Sequence, residues 1–166
     1  MESPLLDLGW PSYQQITVDR WKGKLYERRE DFIAEEVPIS LIYNQIPHVV
    51  MLATPTNLEE FALGFSITEG IIKSPHELLS ARVYNRSNGI EVQLKIPEHR
   101  FDRLSDKGRN LTGRTGCGLC GASTLQQAIR QPNAVNGELS VSAEDLRSAL
   151  FDIGNHQKLN HITGAV

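Results

Sequence analysis

The sequence predicts a mixed α/β (α+β) fold, and three observations carry that prediction. Two pairs of apolar runs are each joined by a short turn signal, Asn44-Gln-Ile-Pro47 in one and Asn85-Arg-Ser-Asn-Gly89 in the other, which reads as two β-hairpins. Between the hairpins, Leu58, Phe61, Ala62 and Phe65 have the spacing of one helical face. Further on, four glycines between Gly113 and Gly121 surround Cys117 and Cys120 and lead into another helical stretch.

Each element follows from local chemistry. Residues 1–15 carry Pro and Ser with little periodicity and read as a loose lead-in. Ile16 to Arg28, with Val18, Trp21 and Leu25 scattered among polar residues, reads as an early strand. Val37 to Tyr43 and His48 to Thr54 are the arms of the first hairpin, and Pro55 closes the second arm. Thr56 or Asn57 is placed to cap a helix over 57–70, whose first turn holds Glu59 and Glu60, favourable at the positive end of the helix dipole. Gly64 lies within the apolar face, where it would permit close packing, and Gly70 marks the helix end. Ser74-Pro-His-Glu77 starts a second short helix. In the second hairpin, Ala81 to Pro97, residues Ile90, Val92, Leu94 and Ile96 alternate, and Asn88-Gly89 is expected to supply positive φ at the turn. Glu98 to Asn110 is charged and reads as irregular. After the glycine-rich cysteine segment come a helix from about Ala122 to Ile129, a turn at Gln131-Pro-Asn and a strand-like Leu139-Ser-Val. Ser142 then caps a helix with Asp145 at its third position, and Leu146, Ala149 and Leu150 are expected to supply its buried face. In the final stretch, Asn155 to Val166, the glycine-bearing Thr163-Gly-Ala-Val reads as loop or strand leading onward and ends in what looks like mid-element, and His156 and His161 read as loop histidines. A chain cut there would leave Leu146, Leu150, Phe151 and Ile162 uncovered.

Composition bounds the function. With 166 residues, 40% hydrophobic and 22% charged, the chain can build one core with a small satellite. A net charge of -3 gives no overall pull toward nucleic acid or anionic membrane. No apolar run approaches the roughly 20 residues of a membrane span, and Glu2 stands where a signal peptide needs a basic residue. Cytoplasmic residence is the expectation. The two cysteines are separated by two residues. They form one chemical unit, not a disulfide framework.

That unit has means to work as a thiolate. Glycines at 116, 118 and 121 let backbone N–H groups approach sulfur. A helix starting near Gly121 would point its positive end at the cysteines. Arg109 and Arg114 place guanidinium charge upstream, and the same two arginines are the candidate phosphate contacts of a cofactor. Cys120 can reach Cys117 across one turn, to protect or resolve a species formed there. Three other readings stand beside this one. The cysteines could simply pack in a glycine turn. They could supply two of the usual four zinc ligands, with His156 and His161 or a second chain completing the set. Thioredoxin-like exchange fits less well, because Gly and Thr flank the motif and hairpins precede it. The site expectation is Cys117 and Cys120 as reacting residues, with no bound metal.

Three ordered stretches give the chain a family resemblance: Ala34-Glu-Glu-Val-Pro38; Leu52-Ala-Thr-Pro-Thr-Asn-Leu-Glu-Glu60 continuing through Gly64-Phe65 and Thr68-Glu-Gly-Ile-Ile72; and Gly116-Cys-Gly-Leu-Cys-Gly121. Together they resemble the FdhD-type sulfurtransferases that assist formate dehydrogenase maturation. The resemblance covers roughly residues 30–166. It implies a cytidine deaminase-like α/β core, incomplete at its C-terminus, preceded by a small β-rich domain. On that basis 16–110 is the β-rich region and 111–166 the start of the deaminase-like domain carrying the cysteine loop. It also implies a relay. A cysteine desulfurase delivers sulfane sulfur to Cys117, and the persulfide passes it to the molybdenum cofactor, bis-molybdopterin guanine dinucleotide, for formate dehydrogenase. No cofactor is held permanently. The expected partners are the desulfurase, formate dehydrogenase, the molybdenum cofactor as acceptor, and a second copy as a homodimer; nucleic acid and membrane are not expected. The alternative is a zinc-binding or partner-docking maturation module without sulfur transfer. Two departures stand out. Family members tend to have serine where this chain has Gly116, and they continue past the equivalent of Val166. Thr163-Gly-Ala-Val looks like their Thr-Gly-Gly-x-His stretch cut before the histidine. The later part is associated with binding the guanine-nucleotide end of the cofactor. The deaminase His-x-Glu zinc signature is missing here, so deaminase activity does not follow.

Other residues have blander readings. Glu35 and Glu36 read as a solvated strand edge. Thr68-Glu69-Gly70 is either functional or a helix C-terminus. Arg100, Arg103, Lys107, Arg109 and Arg114, among Glu98, Asp102 and Asp106, read as a solvated loop with a minority role as a docking edge.

Overall fold

The computed structural model describes residues 9–106, 137 and 140–165. The helix expected at 122–129 and the turn at 131–133 therefore lie outside the described residues. The chain divides into two compact units, one of residues 1–11 and 36–128, the other of residues 12–35 and 129–166. Both strands and helices are present, and the fold is α+β.

The first unit is built on a four-stranded sheet with strand order β4-β3-β6-β5. Strands β3 (Val37–Tyr43) and β4 (Ile46–Ala53) form the first expected hairpin, and β5 (Ser80–Arg86) and β6 (Gly89–Lys95) the second. The hairpins join through β3 and β6, which run parallel from Ile39↔Ile90 to Tyr43↔Leu94. Because strand side chains alternate, Val37, Ile39, Leu41 and Tyr43 share a face with Ile90, Val92 and Leu94, and all are buried. Helix α1 (Leu58–Thr68) adds buried Leu58, Ala62 and Ser66 to this core. Each fully buried aliphatic side chain contributes roughly 1.5–3 kcal/mol. These contacts are the main support of the unit.

Several local expectations are corrected. Asn57 occupies the N-cap position of α1 with φ 52 and no side-chain cap bond. A Cβ on Gly64 would meet nothing within 4 Å among the described residues, so no close packing explains that glycine. The second short helix is a 3₁₀ turn, Pro75–Glu77, with Ser74 accepting from the His76 N–H. Asn88 is not at positive φ in the β5–β6 turn. Gly89, at φ 145, is required because β3 passes so close that a Cβ would run into the Pro38 carbonyl oxygen. The charged stretch read as irregular begins with helix α2 (Glu98–Asp106), whose Phe101 and Leu104 pack against the core. The three-residue spacing of that pair is helical. In the lead-in, Trp10 packs against the same core and donates to Asn85 Oδ1 at 2.6 Å.

The second unit contains a ribbon of β1 (Tyr13–Lys22) and β2 (Leu25–Ala34), paired without a break from Tyr13↔Ala34 to Lys22↔Leu25. The single early strand of the sequence reading is thus two strands, because Gly23-Lys24 forms a tight turn inside it. Its helices are α3 (Ala143–His156) and α4 (Lys158–Thr163). Ser142 caps α3 as expected, accepting from the Asp145 N–H at 3.0 Å and donating to Asp145 Oδ2 at 2.7 Å. Ser140 and Val141 form no strand. Leu146, Ala149 and Leu150 are exposed, not buried; no residue of α3 is buried. The histidines read in a loop lie in helices, with α4 packing on β2 and α3, while Gly164-Ala165 of the expected loop-or-strand ending are outside any helix or strand.

Candidate functional site

Cys117, Cys120, Arg109 and Arg114 lie outside the described residues, as does Lys107. What the structure describes is the platform formed by the C-terminus of α1, within the second resemblance stretch, and the turn end of the β3–β4 hairpin packed on it.

Pro47 cannot donate to a strand ladder, and the hairpin is irregular beside it. Ile42 pairs with Pro47 but Leu41 with Val49, leaving His48 as the extra residue of a β-bulge. The bulge turns the His48 ring onto Tyr43 and Phe65, edge-on, with centroids 5.4 Å and 6.3 Å away. Beneath it, Tyr43 and Ser66 form a buried hydrogen bond of 2.7 Å. Ser66 donates to the Ala62 carbonyl at 2.6 Å, so the Tyr43 hydroxyl must be the donor to Ser66. Burial pushes the Tyr43 phenol up to about 12, against the opposing pull of Ser66, and the Glu69 charge adds to the rise. Tyr43 is therefore a fixed O–H donor at neutral pH.

Thr68-Glu69-Gly70 is a helix C-terminus. The Gly70 N–H bonds the Ile67 carbonyl at 3.0 Å and the Ile71 N–H bonds the Ser66 carbonyl at 2.9 Å. This is a Schellman motif, with Gly70 at φ 67 and Ile71 buried behind it. Thr68 Oγ1 donates to the Gly64 carbonyl at 2.8 Å. His48, Thr68 and Glu69 are each engaged in further interactions, so none is a free surface group. The turn residues Asn44 and Gln45 both have positive φ, 45 and 71, the pattern that matches hairpin twist. The Asn44 side chain donates to the Ile96 carbonyl at 3.0 Å and accepts from its N–H at 2.9 Å.

The remaining candidates separate. The Glu35 N–H bonds the Ser12 carbonyl at 2.9 Å, and Glu36 is exposed between strands. Arg100 is not a solvated cation: its Nη2 lies 2.7 Å from Glu77 Oε1, and both side chains are largely shielded. Arg100, helped by the Lys73 N–H, lowers the Glu77 carboxyl to about 2. His156 ends α3 and His161 lies in α4, so both are helical, not loop histidines. His161 Nε2 sits 2.7 Å from the Gly154 carbonyl. A carbonyl only accepts, so Nε2 carries the proton and is not available to a metal. Among the described residues no group of three His, Cys, Asp or Glu side chains could hold a metal ion.

Sequence reading missed His48, Tyr43 and Ser66. The signal for His48 was present: a proline inside an apolar strand, followed by the run's lone imidazole. Tyr43 and Ser66 gave none, being 23 residues apart.

Residues 34–166 match the FdhD/NarQ family, which is most of the chain and includes both the platform and the cysteine segment. The chain belongs to the FdhD/NarQ family. It is 43% identical over 155 residues, 93% of its length, to a protein of Cupriavidus necator named sulfur carrier protein FdhD. It spans about half the length of that relative, 54%. A crystal structure from Desulfotalea psychrophila, provisionally a formate dehydrogenase accessory protein, is similar with a TM-score of 0.45 and 21% identity, covering 52% of this chain and 35% of that one. No helix among the described residues of this FdhD/NarQ member is long and apolar enough to cross a membrane.

Proposed function

We propose that this FdhD/NarQ member is a sulfur carrier acting through Cys117. The observation that carries the reading is the family match, which spans the Gly116-Cys-Gly-Leu-Cys-Gly121 segment, with a relative named as a sulfur carrier. In the first step the Cys117 thiolate attacks the outer sulfur of a desulfurase persulfide. A new S–S bond forms at Cys117, the donor's S–S bond breaks, and its electron pair leaves with the donor thiolate. No net oxidation occurs. Flanking glycines, Arg109 and Arg114 favour the anionic forms of thiol and persulfide. Cys120 shields or resolves the loaded sulfur. The acceptor is the molybdenum cofactor, bis-molybdopterin guanine dinucleotide, serving formate dehydrogenase, with Arg109 and Arg114 as contacts for its phosphates. We place this in the cytoplasm, where thiols stay reduced.

The test is mass spectrometry after incubation with a cysteine desulfurase and cysteine. A reductant-sensitive gain of about 32 Da on Cys117, absent from Cys117→Ala, is expected. One zinc per chain or per pair, with no mass gain, would replace this reading with the metal-binding one.

A further inference from the structure

Strand β4 is an edge of the four-stranded sheet, with β3 on one side and no described strand on the other. An open edge presents a row of unpaired N–H and C=O groups, which proteins protect with charges, prolines or bulges. The other open edges among the described strands carry charge. Arg82 and Arg86 stand on β5, Asp19, Arg20 and Lys22 on β1, and the run Glu27 to Asp31 on β2. Over most of its length β4 has no such protection. No Asp, Glu, Lys or Arg stands between Glu36 and Glu59. Pro47 and the bulge at His48 disturb only its first end, and the pairing from Val37↔Ala53 to Leu41↔Val49 is regular. Because strand side chains alternate, Val50 and Leu52 point away from the core, and they are 52% and 64% exposed.

We infer that β4 pairs antiparallel with β4 of a second copy across a two-fold axis, joining two four-stranded sheets into one. The open backbone groups require a strand as occupant, because an apolar surface alone leaves them unsatisfied. The lack of charge then selects which strand. Among the described residues β4 is the one open edge that is itself uncharged, so like meets like without repulsion. Alternation also fixes the register, since residues opposite each other must share a face. An axis through Met51 sets Val50 against Leu52 and Val49 against Ala53. It leaves out Pro47, which has no N–H to give; an axis through Val50 would set Pro47 against Ala53. The pairing uses both uncharged edges and leaves a charged β5 at each end, so it closes as a dimer and does not propagate. The expected second copy thereby acquires a surface and a register, and neither depends on the sulfur-carrier reading.

Sedimentation of the full chain over a range of concentrations tests this. A monomer–dimer equilibrium is expected. Val50→Lys/Leu52→Lys sets like charges opposite each other twice across the seam and should weaken association about tenfold. Leu150→Lys/Phe151→Lys, an equal charge change on α3, should leave it as it is. All four side chains are exposed, and a thermal melt of each variant checks the fold. A second measurement does not depend on the lysine variant folding. In a Cys117→Ser/Cys120→Ser background, mixed Val50→Cys and Leu52→Cys chains should form disulfide-linked pairs, and neither chain alone should do so. A monomer at every concentration overturns the proposal. So does a dimer that survives Val50→Lys/Leu52→Lys, one that is lost through the α3 changes, or assemblies that lengthen beyond two chains. Linkage of either cysteine variant with itself, but not in the mixture, overturns the register.

Discussion

Tyr43, Ser66 and the Ala62 carbonyl form a one-way chain of donors, and its direction sets what each substitution does. Tyr43→Phe removes a hydroxyl and leaves Ser66 still donating to Ala62; the expected loss is about 1 kcal/mol. Ser66→Ala leaves the Tyr43 hydroxyl buried without an acceptor and should cost more, about 1–3 kcal/mol. Urea unfolding of both variants checks the order, and a larger loss for Tyr43→Phe would reverse the donor assignment. Glu77 offers a test by pH. Its carboxyl is lowered from 4.5 to about 2 by Arg100 and the Lys73 N–H, so the native state binds its proton less readily than the unfolded chain. The stabilisation is whole above the unfolded value and is lost as pH falls through 4.5 toward 2. Glu77→Gln should remove that part of the acid sensitivity, seen as a smaller fall in urea midpoint between about pH 5 and about pH 3. Neither pair could be read from sequence. Glu77 and Arg100 are 23 residues apart, and a local charge pattern resembles a solvated loop whether or not one member is captured by a distant partner.

At the scale of elements, short-range chemistry was legible and long-range crowding was not. Apolar alternation and turn residues located both hairpins of the four-stranded sheet, and Ser142 with Asp145 located the start of α3. Apolar alternation could not reveal the break at Gly23-Lys24, because β1 and β2 are exposed on both faces and mixed in composition. Two glycines at positive φ also divide this way. Gly70 ends α1 at positive φ, which helix-end rules anticipate, while Gly89 answers to Pro38 on a strand far upstream. Gly70→Ala should cost about 1 kcal/mol through backbone strain alone. Gly89→Ala adds a steric collision with rigid backbone and should cost about 2–3 kcal/mol. Thermal melts of the two variants make the comparison, and equal shifts would mean that β3 can move aside at little cost. The cysteine segment was the clearest signal in the sequence, and its geometry lies outside the described residues.

Taken as a whole, the chain buries its apolar residues unevenly. The sheet core is closed, whereas α3 leaves Leu146 57%, Leu150 62% and Phe151 83% exposed and Ile162 of α4 is 41% exposed. Large apolar side chains exposed to this degree should bind hydrophobic dyes. Leu150→Gln with Phe151→Ser should cut dye fluorescence severalfold while shifting stability by less than about 0.5 kcal/mol; a larger loss of stability would mean that the face is already packed in solution. The parallel β3–β6 seam has a consequence of a different kind, in time rather than in space. Each hairpin closes over a turn of two residues, but Ile39 and Ile90 meet only after everything between them has been gathered in. Closing so long a loop is slow compared with forming a hairpin. The seam is therefore the contact that carries the largest loop-closure cost in this sheet, and Asn44 clasps Ile96 across it. Until that clasp engages, two ready-made hairpins would wait with their inner edges open, the interval in which a newly made chain is most exposed to pairing with another.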